Sequence, residues 1–111
     1  MGLTKSELFT AYQNEMAALS KVLAHPARVA IIEHLLKTKA CVNGDLVQEL
    51  GLAQPTISQH LHELKRSGLI KGSIDGVSVN YCIDTEKWAY FRRSFAEFFA
   101  RFDESDKYLC C

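Results

Sequence analysis

From about Thr4 to Leu23 the apolar residues Leu8, Tyr12, Met16, Leu19 and Val22 recur at steps of four, four, three and three, which predicts an amphipathic helix. His25-Pro26 then breaks and restarts the chain, because proline suits the first turn of a helix and disfavours helix in the residue before it. A second helix follows, with Val29, Ile32, Leu35 and Leu36 directed inward. Asn43 is placed to cap a short third helix, NGDLVQEL, whose stripe is Leu46, Val47 and Leu50 and whose terminator is Gly51. Only Gly51, Leu52 and Ala53 precede a fourth helix, which carries Pro55 in its first turn and stops at Gly68 behind Lys65 and Arg66. Two helices joined by so short a turn predict a helix-turn-helix over about residues 43–67.

Beyond Gly68 the period drops to two. In LIKGSIDGVSVNYCID, Val77, Val79, Tyr81 and Ile83 alternate with Ser78, Asn80 and Cys82 around an Asp75-Gly76 turn, which predicts a β-hairpin wing over about residues 69–83. Asp84 or Thr85 then caps a last helix running over about 85–102, and residues 103–111 form a tail. Trp88, Phe91, Phe95, Phe98, Phe99 and Phe102 follow helical spacing there, and together they give more apolar surface than the edge of one small monomer covers. The pattern therefore predicts a mainly α winged helix-turn-helix of five helices, filling residues 1–111 as a single domain.

The fourth helix poses the functional question. Ile57, Leu61 and Leu64 share one face, whereas Gln54, Thr56, Ser58 and Gln59 crowd the other side near its N-terminus. Serine and threonine are poor choices for helix stability, and a plain solvated face favours Glu, Lys and Arg. Thirteen basic and thirteen acidic residues cancel, so any nucleic-acid contact has to come from such a local arrangement and not from net charge. No stretch has the length of a signal peptide's apolar core or of a spanning helix, which implies a soluble, cytoplasmic protein with no membrane partner. Four cysteines without a CxxC pair argue against a disulfide framework or a structural zinc site.

Three segments together resemble the ArsR/SmtB group of winged-helix bacterial repressors. They are KVLAHPARVAIIEHL in the second helix, GDLVQELGLAQPTISQHLHELKRSGLI in the helix-turn-helix, and the hairpin IDGVSVNYCI. The resemblance implies a homodimer through the first and last helices, on a double-stranded operator that an inducer, often a thiophilic metal or metalloid, makes it release. Residues expected at that seam are Leu8, Tyr12, Met16, Trp88, Phe91, Phe95, Phe98 and Phe99. Gln54, Thr56, Ser58 and Gln59 are suited to base edges, glutamine being able to bind adenine through two hydrogen bonds. His62, Lys65, Arg66 and Lys71 complete the expected DNA face, the three cations on phosphate. The wing departs from its relatives, which often carry arginines: its tip reads Ser73, Ile74, Asp75, Gly76, Val77, Ser78, and Asp75 repels phosphate.

The thiols are the candidate sensor. Relatives with a zinc site on the last helix use histidines there, and this helix has none. Others begin the third helix with Cys-Val-Cys-Asp-Leu, where this chain reads Cys41-Val42-Asn43-Gly44-Asp45-Leu46 and keeps one thiol. Cys110 and Cys111, with Cys41 or alternatively Cys82, offer the three soft thiolates that As(III), Sb(III) or another thiophilic metal prefers, with no cofactor otherwise required. The plainer reading makes Cys41 and Cys82 small half-buried side chains. A persulfide or redox response is the alternative effector, although relatives of that kind place a thiol in the second helix, where Val29, Ile31 and Ile32 stand. A winged-helix adaptor for another protein is the rival function. Enzyme chemistry is not expected, since the chain shows no phosphate-binding glycine loop and no spaced nucleophile–base pair. His25 and His34 are expected to make local hydrogen bonds, His60 to flank the core, and Arg28 and Glu33 to lie on ordinary helix surface or to form a structural pair of the family.

Overall fold

The computed structural model describes residues 7–38, 42–43, 50–73, 80–103 and 105. Among them are helices α1 (Ala11–Val22), α2 (Pro26–Thr38), α3 (Gln54–Ser67) and α4 (Thr85–Phe99), and strands β1 (Val42–Asn43), β2 (Ile70–Ser73) and β3 (Asn80–Ile83). The strands form one antiparallel sheet in the order β1-β3-β2. The expected winged-helix architecture is present, with four helices described; the third predicted helix, NGDLVQEL, falls largely outside the described residues, as does the wing tip.

Helix α1 starts later than apolar spacing predicts. Thr10 and Gln13 form a reciprocal capping box, Gln13 N–H donating to Thr10 Oγ1 at 3.0 Å and Thr10 N–H to Gln13 Oε1 at 2.9 Å. That pair fixes Thr10 in extended backbone, so Leu8 and Phe9 lie ahead of the helix and stay exposed. In α2, Ala27, Ile31, Ile32 and Leu35 face the core, whereas Val29 and Leu36, both expected inside, are each 42% exposed. A 100° step explains this: positions 27, 31 and 35 stack on one line, and 29 and 36 fall on its flank beside α4.

Helix α3 follows the predicted pattern. Ala53 precedes it in extended backbone, Pro55 occupies the first turn, and Gly68 ends it at φ +86° with its N–H on the Lys65 carbonyl. Ser67 then steers the chain into the wing: its hydroxyl donates to the Leu64 carbonyl at 2.6 Å and accepts from Leu69 N–H at 3.2 Å. Register across the wing pairs Ile70 with Ile83, Lys71 with Cys82, Gly72 with Tyr81 and Ser73 with Asn80. Gly72 is required, because its φ is +127° and a Cβ there would stand 2.1 Å from the Asn80 carbonyl oxygen. Strand β1, absent from the sequence reading, adds Val42 opposite Tyr81 and Asn43 opposite Asn80.

Asp84 caps α4, accepting from Lys87 N–H at 3.0 Å. The helix ends at Phe99, three residues short of the predicted Phe102. Just beyond, Asp103 Oδ1 accepts from Ser105 N–H at 3.0 Å, a local turn that competes with further helix. One core joins all these elements: Met16 and Leu19 from α1, Ile31, Ile32 and Leu35 from α2, Ile57, Leu61 and Leu64 from α3, then Leu69, Ile70, Tyr81 and Phe91.

Candidate nucleic-acid interface

The inward face of α3 is consumed by that core, since Ile57, His60, Leu61 and Leu64 are all buried. What remains outward follows from the helical step. Gln54, Thr56 and Gln59 are exposed and Ser58 is half-buried, so the first turn and a half of α3 presents short hydrogen-bonding side chains to solvent. No side chain caps this end; Thr56 and Ile57 N–H both donate to the Ala53 carbonyl at 3.1 Å, and Pro55 has no N–H to satisfy. Lys65 and Arg66 are exposed on the last turn, His62 is half-buried between, and Lys71 is exposed on β2. Arg66 Nη1 lies 3.2 Å from Glu63 Oε1, so part of its charge is already matched. The predicted DNA-facing residues are therefore accessible along α3, and Lys71 is accessible on the adjoining strand β2.

Behind this surface lies a basic cluster that sequence reasoning missed. Arg28, expected on ordinary helix surface or in a structural pair with Glu33, is half-buried and donates from Nη1 to the Lys21 and Val22 carbonyls at 3.2 and 3.4 Å. Its Nε donates to His60 Nδ1 at 3.3 Å. His25 behaves as expected, accepting from Ala27 N–H at 3.1 Å, and its ring centroid lies 4.3 Å from that of His60. Burial, followed by the charges of His25 and Arg28, holds His60 below its ordinary value of 6.5. Nothing in spacing announces a contact between residues 32 apart, although an arginine three positions after His25, in an otherwise apolar helix start, was the available hint.

The residues expected at a subunit seam divide. Leu8, Tyr12, Phe98 and Phe99 are exposed, Trp88 and Phe95 are half-buried, and Met16 and Phe91 are buried inside their own protomer. Phe9 and Phe102 add exposed aromatic surface. A cavity of about 500 Å³ opens between α1 and α4, lined by Tyr12, Met16, Phe95, Phe98 and Phe99 among others. Arg101 holds its guanidinium carbon 4.3 Å from the Tyr12 ring centroid, and Phe98 meets Phe99 edge to face at 5.4 Å. Tyr90 donates to Glu15 Oε1 at 3.0 Å, a bond that raises the phenol above its usual range and ties α4 to α1.

Among the four cysteines, Cys82 is half-buried in β3, and Cys41, Cys110 and Cys111 lie outside the described residues. The described residues contain no group of three His, Cys, Asp or Glu side chains arranged for a metal ion. Nor do they contain a helix long and apolar enough to cross a membrane.

Residues 25–71 match the pattern of the bacterial regulatory protein arsR family, covering α2 to the start of the wing. The transcriptional repressor PagR of Bacillus anthracis is 38% identical over 71 residues, which is 64% of this chain and 71% of that protein. The chain belongs to the arsR family of bacterial regulatory proteins. A further relative, the biofilm growth-associated repressor of Xylella fastidiosa, is 41% identical over 58 residues. That match takes in 52% of this chain and about half, 50%, of the relative's length. The crystal structure of Mycobacterium tuberculosis Rv0081 superimposes with a TM-score of 0.60 at 29% identity, covering 84% of this chain and 97% of that one. The winged helix-turn-helix is thus the shared ArsR-family scaffold.

Proposed function

We propose that the protein is a homodimeric, sequence-specific DNA-binding transcriptional repressor that leaves its operator when a thiol-reactive effector binds. The supporting observation is the division of α3 into a fully buried apolar face and an outward first turn of Gln54, Thr56, Ser58 and Gln59. Short polar side chains at a helix N-terminus fit the major groove, where they read base edges, while Lys65, Arg66 and Lys71 meet phosphate. Relatives named as repressors support the regulatory direction. Pairing through the exposed aromatic face of α1 and α4 would set two such helices about 34–36 Å apart, one turn of duplex.

For the effector, the support is chemical: Cys110 and Cys111 with Cys41, or with Cys82, supply the soft thiolates that As(III), Sb(III) or a similar thiophilic ion takes. The function is tested by selecting duplexes from a random library with the protein and following binding by mobility shift across salt. Saltable, sequence-preferring binding is expected, and its absence refutes the repressor reading. Arsenite, antimonite, zinc and a persulfide donor are then titrated into the complex, beside a Cys110→Ser, Cys111→Ser variant. Release of the variant by arsenite at the parent's concentration removes the tail thiols from the sensor.

A further inference from the structure

We propose that Arg28 is a positioning residue for α3, latching this helix to the end of α1 through Nδ1 of His60, and that the latch opens when His60 takes up a proton. The proposal rests on α3 being the DNA-reading helix. Arg28 donates to two carbonyls in the last turn of α1, that of Val22 and that of Lys21, which also accepts from Ala24 N–H. With Nε it reaches His60 in the middle of α3, one turn before the cations and one turn after the polar end. One side chain therefore touches α1, α2 and α3 together.

Chemistry makes this latch conditional. A guanidinium has donors only and keeps its charge throughout the working range, so it holds an imidazole nitrogen only while that nitrogen has a lone pair. His60 must then carry its proton on Nε2 and be neutral. His25 is held beside it by Ala27 N–H, which donates to its Nδ1.

The charged groups that act on His60 are His25 ahead of α2 and Arg28 on α2, and the cleft beside Arg28 also holds Lys21 from the end of α1 and Glu63 and Arg66 from α3. Glu63, the carboxylate of this set, is engaged by Arg66 at 3.2 Å. A proton on His60 would face Arg28 and His25 at close range and replace the acceptor with a second donor. The sign follows: a histidine held below 6.5 when latched contributes to the latched state above that pH, and the contribution is lost as pH falls. Its limit is about a tenfold change per pH unit for each protomer.

The test uses the full chain, a duplex recovered by selection at pH 7.5 and a scrambled duplex of equal length, at constant ionic strength. The readout is the ratio of the two affinities between pH 7.5 and 5.5. Acid charging of exposed side chains strengthens both duplexes and cancels in the ratio. The parent ratio is expected to fall by about fivefold or more over this range. His60→Asn keeps an acceptor near the place of Nδ1 without titrating, and its ratio stays flat whatever its level. Arg28→Lys keeps the charge and loses Nε–H, so its ratio is lowered already at pH 7.5 and changes less with acid.

A second arm needs no DNA. Imidazole nitrogen resonances should show the Nε2–H form of His60 at pH 7.5, and amide exchange in α3 should quicken as the ring titrates. An acid loss that persists in His60→Asn overturns the latch, as does titration of His60 with no change in α3 exchange. Failure of every variant to select a duplex would refute the DNA reading alone, and the free-protein arm would still decide the latch. Should His60→Asn not fold, Arg28→Lys and the exchange data serve in its place.

Discussion

Two phenylalanines on α4 lead to opposite expectations. Phe91 is 4% exposed and packs in the protomer core, whereas Phe99, two helical turns further on, is 71% exposed. Full burial of such a side chain is worth about 2 kcal/mol, so covering the exposed part of Phe99 gains about 1.5 kcal/mol. A twofold interface counts it twice, giving about 3 kcal/mol, or on the order of 100-fold in the dimer dissociation constant. Phe99→Ala should therefore shift the monomer–dimer midpoint by that factor in sedimentation equilibrium. Its unfolding, measured under dilute monomeric conditions, should match the parent. Phe91→Ala should instead lose about 3–5 kcal/mol of protomer stability through the cavity it leaves. If Phe99→Ala dissociates at the parent's concentration, the aromatic end of α4 does not form the seam, and reasoning from exposed apolar surface to a partner fails.

Other substitutions probe the DNA face and the wing. Gln59→Ala should cost about 1–3 kcal/mol on selected duplex and little on scrambled duplex, as read by anisotropy. Lys65→Ala should weaken both alike and flatten the log–log salt slope by about 0.9 per protomer. Gly72→Ala should destabilise the fold by more than about 2 kcal/mol in urea titration, because the new Cβ would meet the Asn80 backbone. Gly51→Ala, at φ +70° with nothing within 4 Å of its Cβ, should cost only about 1–2 kcal/mol. Equal losses at the two glycines would refute the close approach between β2 and β3.

Legibility in the sequence tracked the range of the interaction involved. The buried face of α3 and its glycine stop were readable because a 3.6-residue period and a left-handed cap are both local. The start of α1 was also local, but apolar spacing back to Leu8 obscured the Thr10–Gln13 box. Aromatic spacing on α4 could not separate Phe91 from Phe99, since one period serves both core and seam; the sorting needs the position of α1 and α2. Strand β1, two residues long, is too short to show alternation. The contact of Arg28 was not readable because its partner, His60, lies in another helix.

The joint between wing and last helix has a mechanical consequence. Asp84 alone separates β3 from α4, and its N–H is bonded to the Leu69 carbonyl at the exit from α3, at 3.0 Å. Such a joint leaves little slack, which couples the tilt of α4 to the exit from α3 and to the base of the wing. At 15 residues α4 is about 22 Å long, and tilting it by roughly 5° sweeps its far end through about 2 Å. In the proposed dimer, an effector would not have to bend anything inside a protomer: a small change in the angle at which the two α4 helices cross would be enough to spoil the grip on successive grooves.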